Sequence, residues 1–416
     1  MFINTNYHIT MMDKKPEILA PVGDMDMLST TIQAGADAVY FGVKVLNMRA
    51  KAKNFELSQL KSIVSLCHKN NVKAYLTVNT IVYENELNVL DKVLRSAKEA
   101  NIDAIICWDL AVLNKAKELG LEIHLSTQAS VSNSEALKVY EDLGISRVVL
   151  ARECNLEQIK KIKSRTKLDI ECFVHGAMCI SISGRCFMSQ FLYNCSANRG
   201  ECLQPCRREY EIVDKEDGHK LLVGSNYVMS PKDMCTLEIV DKLIGVVDVF
   251  KIEGRNKSPE YVKVIIECYK EAIDLALKKE LDEKSKKRLI EKASTVYNRD
   301  FSTGFYMGKP MKEWAEGYGS KSTKNKIYVG IISKVYKRVG AVDVKLESKS
   351  LKKEDNIMII GEKSGVHEHK IESLQIGSGI NVDEVEKGEI AGVYLGDLIE
   401  KVRLKDKVFI WRASQD

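Results

Sequence analysis

The sequence predicts an α/β protein: a closed (β/α)8 barrel of the TIM type with a cysteine-rich insertion after its seventh strand, followed by a small β-barrel domain. Three observations predict it. Short apolar strands alternate with amphipathic helices through the first half of the chain, eight such strands can be counted, and the helical periodicity stops after Lys326. The closed barrel is preferred to an open doubly wound sheet, which has no Gly-x-Gly-x-x-Gly turn to support it here.

The strands are expected at Glu17–Ala20, Ala38–Gly42, Lys73–Val78, Ala104–Cys107, Glu122–Ser126, Arg147–Leu150 and Ile170–Val174, with the eighth at Val249–Ile252. Strands rich in Val and Ile, each followed by a helix, belong in a parallel sheet buried on both faces. Leu57, Leu60, Ile63, Val64 and Cys67 recur at three- and four-residue spacing, as do Leu87, Leu90, Val93, Leu94 and Ala97, so each set forms one apolar helix face. Polar residues stand where strands should end: Asn79 and Thr80, Asp109, Thr127 and Gln128, Arg152 and Glu153, His175, Glu253 and Arg255. Barrel chemistry collects at that end. The same residues could simply cap helices, as Asp109 or Ser132 would.

Far more chain separates the seventh and eighth strands than a βα loop needs, and a folded insertion over residues 176–248 accounts for it. The barrel with this insertion occupies residues 16–278, after an N-terminal extension over 1–15. Helices are expected at Pro259–Lys278 and Asp282–Tyr297, and residues 279–325 form a helical segment ending in the basic linker Lys321–Lys326. From residue 326 to 416, short β runs begin at Ile327, Val342, Asn356, Ile390 and Lys407, as a small β-barrel requires. Their pattern resembles the β domain attached to translation factors, for which RNA docking and a purely structural role are both open.

The chain has 416 residues, 45% of them hydrophobic, and a net charge of +5. With a pI near 8.4 it permits an acidic partner such as RNA without requiring one. No apolar run approaches the roughly 20 residues of a membrane helix. The N-terminus lacks a basic start followed by an apolar core, so a cytoplasmic location with reduced thiols is expected.

Five of the 11 cysteines lie between Cys179 and Cys206. The spacing Cys179-x6-Cys186-x15-Cys202-x3-Cys206 offers four thiolates from a loop-rich segment. Four-cysteine zinc sites usually arrive as two tight knuckles, and only Cys202-x3-Cys206 has that form. The arithmetic favours an iron–sulfur cluster over zinc. Cys67, Cys107, Cys172 and Cys268 read as small buried hydrophobes. A thiol protease would pair Cys179 with a histidine such as His175 or His124, but one nucleophile leaves the other thiols unexplained. Arg185, Arg199, Arg207 and Arg208 flank the cysteines and are candidates for RNA contacts; the alternative is pairing with acids such as Glu201 or Glu209.

The stretch Glu171-x-Phe173-x2-Gly176-Ala177-Met178-Cys179-x4-Gly184-x-Cys186-x-Met188-Ser189 resembles the signature of the U32 proteins, a family first labelled collagenase-like peptidases. The resemblance extends through Pro16–Gly23, Ala34–Gly42, His124–Gln128, Ser230–Asp233, Lys251–Arg255 and Asn298–Tyr306. Length and motifs are most similar to the branch that hydroxylates the wobble uridine of tRNA. The resemblance implies a [4Fe–4S] cluster on Cys179, Cys186, Cys202 and Cys206, with Cys235 as the substitute for Cys206. It also implies prephenate as co-substrate, tRNA as partner, and a related U32 protein as a further partner. Asn79, Gln128, His175, Glu253 and Arg255 would surround the small-molecule site. An rRNA cytidine hydroxylase, a U32 endopeptidase and a non-catalytic RNA-binding protein are the alternatives.

Overall fold

The computed structural model describes residues 14–50, 52–221, 227, 229–317, 319–377 and 379–414. Eight parallel strands close into a barrel: β1 (Glu17–Pro21), β2 (Ala38–Phe41), β3 (Lys73–Thr77), β4 (Ala104–Cys107), β5 (Ile123–Leu125), β6 (Arg147–Val149), β7 (Asp169–Gly176) and β8 (Val249–Ile252). Each pairs with the next, and β8 pairs with both β7 and β1. Six helices lie between strands: α1 (Met25–Ala34), α2 (Leu60–Lys69), α3 (Leu87–Glu99), α4 (Leu110–Glu118), α5 (Ser134–Asp142) and α6 (Leu156–Lys163). The helix after β8, α7 (Pro259–Leu277), packs on α1 and completes the ring.

Alternation along the strands divides the core. Leu19, Ala38, Tyr40, Tyr75, Ala104, Ile106 and Val249 fill the barrel interior, while their sequence neighbours face the helices. Caps set the helix starts. The Asp24 carboxylate accepts from the Met27 amide, and Asp109 caps α4 as expected. Asn133, rather than Ser132, caps α5 by accepting from the Ala136 amide, because Asn133 is the residue adjoining the first helical turn. Cys67, Cys107, Cys154, Cys172, Cys235 and Cys268 are all buried.

The excursion between β7 and β8 returns along strand Asp233–Cys235, which runs antiparallel to the end of β7. Among its described residues it carries a six-residue helix, Met188–Tyr193, a two-stranded hairpin of Ile212–Val213 with Lys220–Leu221, a four-residue helix, Val240–Leu243, and 3-10 turns at Ala197–Arg199, Pro205–Arg207 and Leu237–Ile239. After α8 (Glu283–Ser294), an antiparallel domain begins with strand Lys324–Tyr336, so the last residues of the expected linker are already strand. Ladder pairing to Lys407–Ala413 claims them, overriding their polarity. The eight-stranded sheet of this domain surrounds Val329, Ile332, Val344, Ile357, Ile359 and Val408. Met358, Ile360, Val366 and Trp411 instead join the barrel's outer core. The two domains therefore share apolar packing, fastened by Lys326 to Glu260 at 2.8 Å.

Candidate functional site: a cysteine-roofed cationic cavity

The floor of the site is built by β8. Val249 faces the barrel interior, and a strand's two-residue period places Lys251 on that same face, with Glu253 and Arg255 following at the strand's C-terminal end. Lys251 Nζ donates to Glu171 Oε1 at 2.6 Å and lies 4.6 Å from the Tyr40 ring centre. Arg255 Nη1 donates to Thr77 Oγ1 at 2.9 Å. Arg49, from the loop after β2, donates to Glu253 Oε1 at 3.1 Å, and Arg152 stacks on Phe173 with its guanidinium carbon 4.2 Å from the ring centre. Gln128 Nε2 donates to the Asn79 carbonyl at 3.2 Å, tying the ends of two further strands together.

The insertion forms the roof. Arg199 fastens it to the barrel through the Ile81 carbonyl and Glu86, and lies 4.7 Å from the Tyr83 ring centre. Gly200, at φ 90°, lies against the 47–50 backbone, where an added Cβ would fall 2.5 Å from the Asn47 carbonyl oxygen. Arg207 donates to Ser230 Oγ at 3.0 Å and to the Pro231 and Met178 carbonyls. The Asn198 side chain accepts from the Cys186 amide at 2.9 Å.

Floor and roof enclose a cavity of about 190 Å³. Cys179, Cys186, Cys202 and Cys206 all line it, and so do Asn79, Gln128, Glu253, Arg255 and Arg207. Cys179 and Cys202 are exposed; Cys186 and Cys206 are half-buried. Burial pushes the Cys206 thiol up, Arg207 opposes this, and Cys179, Cys202 and Cys186 add to the rise. Among the described residues, five cations line the cavity (Arg49, Arg152, Arg207, Lys251 and Arg255) against the single carboxylate of Glu253. Burial alone would raise the Glu253 carboxyl, but Arg49, with Lys257 and Arg152, holds it below the usual carboxylate range. Burial, helped by Arg49, lowers the Arg255 guanidinium to about 10. An anion entering here would relieve that crowding of positive charge.

The remaining sequence candidates lie elsewhere. His175 is buried among Tyr261, Tyr269 and Phe301, its ring held neutral as burial and then Lys257 lower its pKa to about 3. Cys235 is buried in the return strand, and Cys195 does not line the cavity. Arg199 is a clamp rather than an outward group, paired with Glu86 and not with Glu201 or Glu209. Arg185 and Arg208 are exposed, and Arg208 lies 5.0 Å from the Tyr193 ring centre. Sequence reasoning missed Arg49 and Lys251. Lys251 could have been found from the charged alternation Lys251-x-Glu253-x-Arg255 in an otherwise buried strand; Arg49 lies in an aperiodic loop that offers no such signal.

These features define a (β/α)8-barrel protein whose open end is covered by a cysteine-bearing insertion. The chain belongs to peptidase family U32, whose family model matches residues 23–316. It is 42% identical to a collagenase of Porphyromonas gingivalis over 406 residues, covering 94% of this chain and 97% of that one. It is 32% identical to tRNA hydroxylation protein P1 of Bacillus subtilis over 381 residues, covering 90% of each chain. A 23S rRNA 5-hydroxycytidine synthase of Escherichia coli is 34% identical over 278 residues, covering 66% of this chain and 42% of that one. Among the described residues, no helix is long and apolar enough to cross a membrane.

Proposed function

We propose that this chain is an RNA hydroxylase that forms 5-hydroxyuridine at the wobble position of tRNA, using prephenate and a [4Fe–4S] cluster held by Cys179, Cys186, Cys202 and Cys206. The observation that carries this reading is the meeting of four thiols and five cations around one cavity. Among the described residues, no three His, Cys, Asp or Glu side chains are close enough to hold a single metal ion. The four thiols that line the cavity equal in number the cysteines that hold a [4Fe–4S] cluster. When bound, such a cluster supplies electron transfer or a Lewis-acidic iron.

The chain's own residues provide the rest. Prephenate is a dicarboxylate, and Arg152 and Arg255 present planar donors for carboxylates. Lys251, buried against Glu171, adds a fixed positive charge beneath them. Glu253 holds Arg49 in place rather than facing substrate alone.

The 42% identity to a collagenase favours a peptidase as the second reading. A thiol or serine peptidase needs a base beside its nucleophile. Among the described residues, no histidine lines this cavity; His175 is enclosed by aromatic rings and His124 is buried beside Tyr75. A relative named for tRNA hydroxylation also aligns along 90% of the chain.

The test is nucleoside mass spectrometry of tRNA from cells lacking the gene and complemented with wild type or Cys179→Ser. Wild type should restore 5-hydroxyuridine and its derivatives; Cys179→Ser should not. Unchanged tRNA in the deleted strain, with no redundant enzyme, would sink the assignment. Peptide cleavage by iron-free protein that is lost in Cys179→Ser would establish the peptidase instead.

A further inference from the structure

The outward side of the roof carries an apolar surface that the cavity does not use. Phe191 is 84% exposed, Phe187 59% and Leu192 53%, with Tyr193 and Leu203 beside them. Phe187 and Phe191 lie one helical turn apart, their ring centres 6.0 Å from each other. The Leu203 amide donates to Ser189 Oγ at 3.1 Å, which fastens a second loop to the same helix. Arg208 covers Tyr193, and neither Arg208 nor Arg185 has an acidic partner among the described residues. Residues 177–208 contain four arginines and a single acid, Glu201. The surface adjoins the cavity, because Cys186, Met188 and Ser189 line it from the other side of the same segment.

Scattered exposed hydrophobes require no explanation, but several aromatic rings on one short helix, flanked by unpaired arginines, do. Burying them against a protein core would leave the arginines without counter-ions. Unpaired nucleobases offer flat apolar faces to the rings and phosphates to the guanidinium groups. We propose that Phe187, Phe191 and Tyr193, with Arg185 and Arg208, form a stacking platform for the unpaired loop of the RNA substrate. This rests on the RNA reading above and adds where the loop is held while one base enters the cavity. Every base has a π-face, so the platform grips the loop with little regard to sequence. Choice of the reacting base is left to the cavity.

The experiment uses the full chain, purified anaerobically, and a fluorescent hairpin RNA with a uridine-containing unpaired loop. A fully paired duplex of the same length is the control. Wild type should bind the hairpin more tightly than the duplex. Phe187→Ala/Phe191→Ala should lose hairpin affinity by about tenfold or more, with duplex binding and circular dichroism unchanged. Phe191→Trp should retain affinity, and Arg208→Gln should weaken binding and flatten its salt dependence. Hairpin affinity unchanged in the double alanine variant overturns the platform. So does a wild-type dimer that this variant converts to monomer without loss of RNA binding. Loop binding through Phe191 by a protein that makes no 5-hydroxyuridine overturns the reaction assigned above and leaves the platform standing.

Discussion

Glu171→Gln tests whether the charges beneath the cavity act as one buried network. Glu171 is fully buried, with Lys251 Nζ at 2.6 Å from one carboxylate oxygen and Arg147 Nη1 at 3.7 Å from the other. At an effective dielectric of about 20 those attractions amount to roughly 6 and 4 kcal/mol, before the cost of taking the carboxylate out of water. That cost is several kcal/mol, so the loss expected for the single variant is about 3–5 kcal/mol. Arg147 keeps Glu17 at 2.8 Å, but Lys251 loses its ion-pair partner and is left facing Arg255 and Arg147. Lys251→Met should therefore cost less than Glu171→Gln, because Glu171 would retain Arg147. The double variant Glu171→Gln/Lys251→Met should be more stable than Glu171→Gln alone. Urea unfolding by circular dichroism and tryptophan fluorescence measures all four proteins, with coincident transitions required before free energies are compared. A single-variant loss below about 1 kcal/mol, or a double variant equal to the sum of the singles within about 0.5 kcal/mol, would refute the network.

Serine at Cys179, Cys186, Cys202 or Cys206 should remove iron, sulfide and visible absorption after anaerobic purification, whereas Cys195→Ser should leave them unchanged; stoichiometric zinc in wild type would contradict this. Gly200→Ala should cost about 2–4 kcal/mol through its left-handed φ and backbone overlap, seen as faster proteolysis within 177–221 while the barrel stays resistant. Stability should fall as pH drops from about 6.5 to about 3, because the unfolded chain protonates His175 in that window and the folded chain does not. His175→Phe should flatten the acid limb of a melting-temperature profile; an identical limb would show that His175 protonates freely in the folded state.

The barrel was legible because a buried parallel strand must be apolar on both faces, and Val, Ile and Ala runs such as Ala104–Cys107 leave little other reading. The four lining cysteines stood out by their density in one loop-rich segment. Direction was not legible there. Arg199, Arg207 and Arg208 belong to one short stretch, yet the first clamps Glu86, the second binds backbone carbonyls, and the third faces solvent. In an irregular loop no period fixes which way a side chain points, so those contacts are set by tertiary packing. His175 illustrates the opposite error: it stands at a strand end, as a catalytic residue would, but the return strand and α7 cover that side of β7.

The direct pairing of β7 with β8 has an evolutionary consequence. The long excursion leaves and re-enters the barrel at neighbouring strands, so closure of the ring does not depend on what the excursion contains. The thiols and the exposed rings are all inherited with that one segment, whereas four of the five cations belong to the scaffold. Selection can therefore rewrite the roof without disturbing closure of the ring or the four cations that the barrel contributes to the floor.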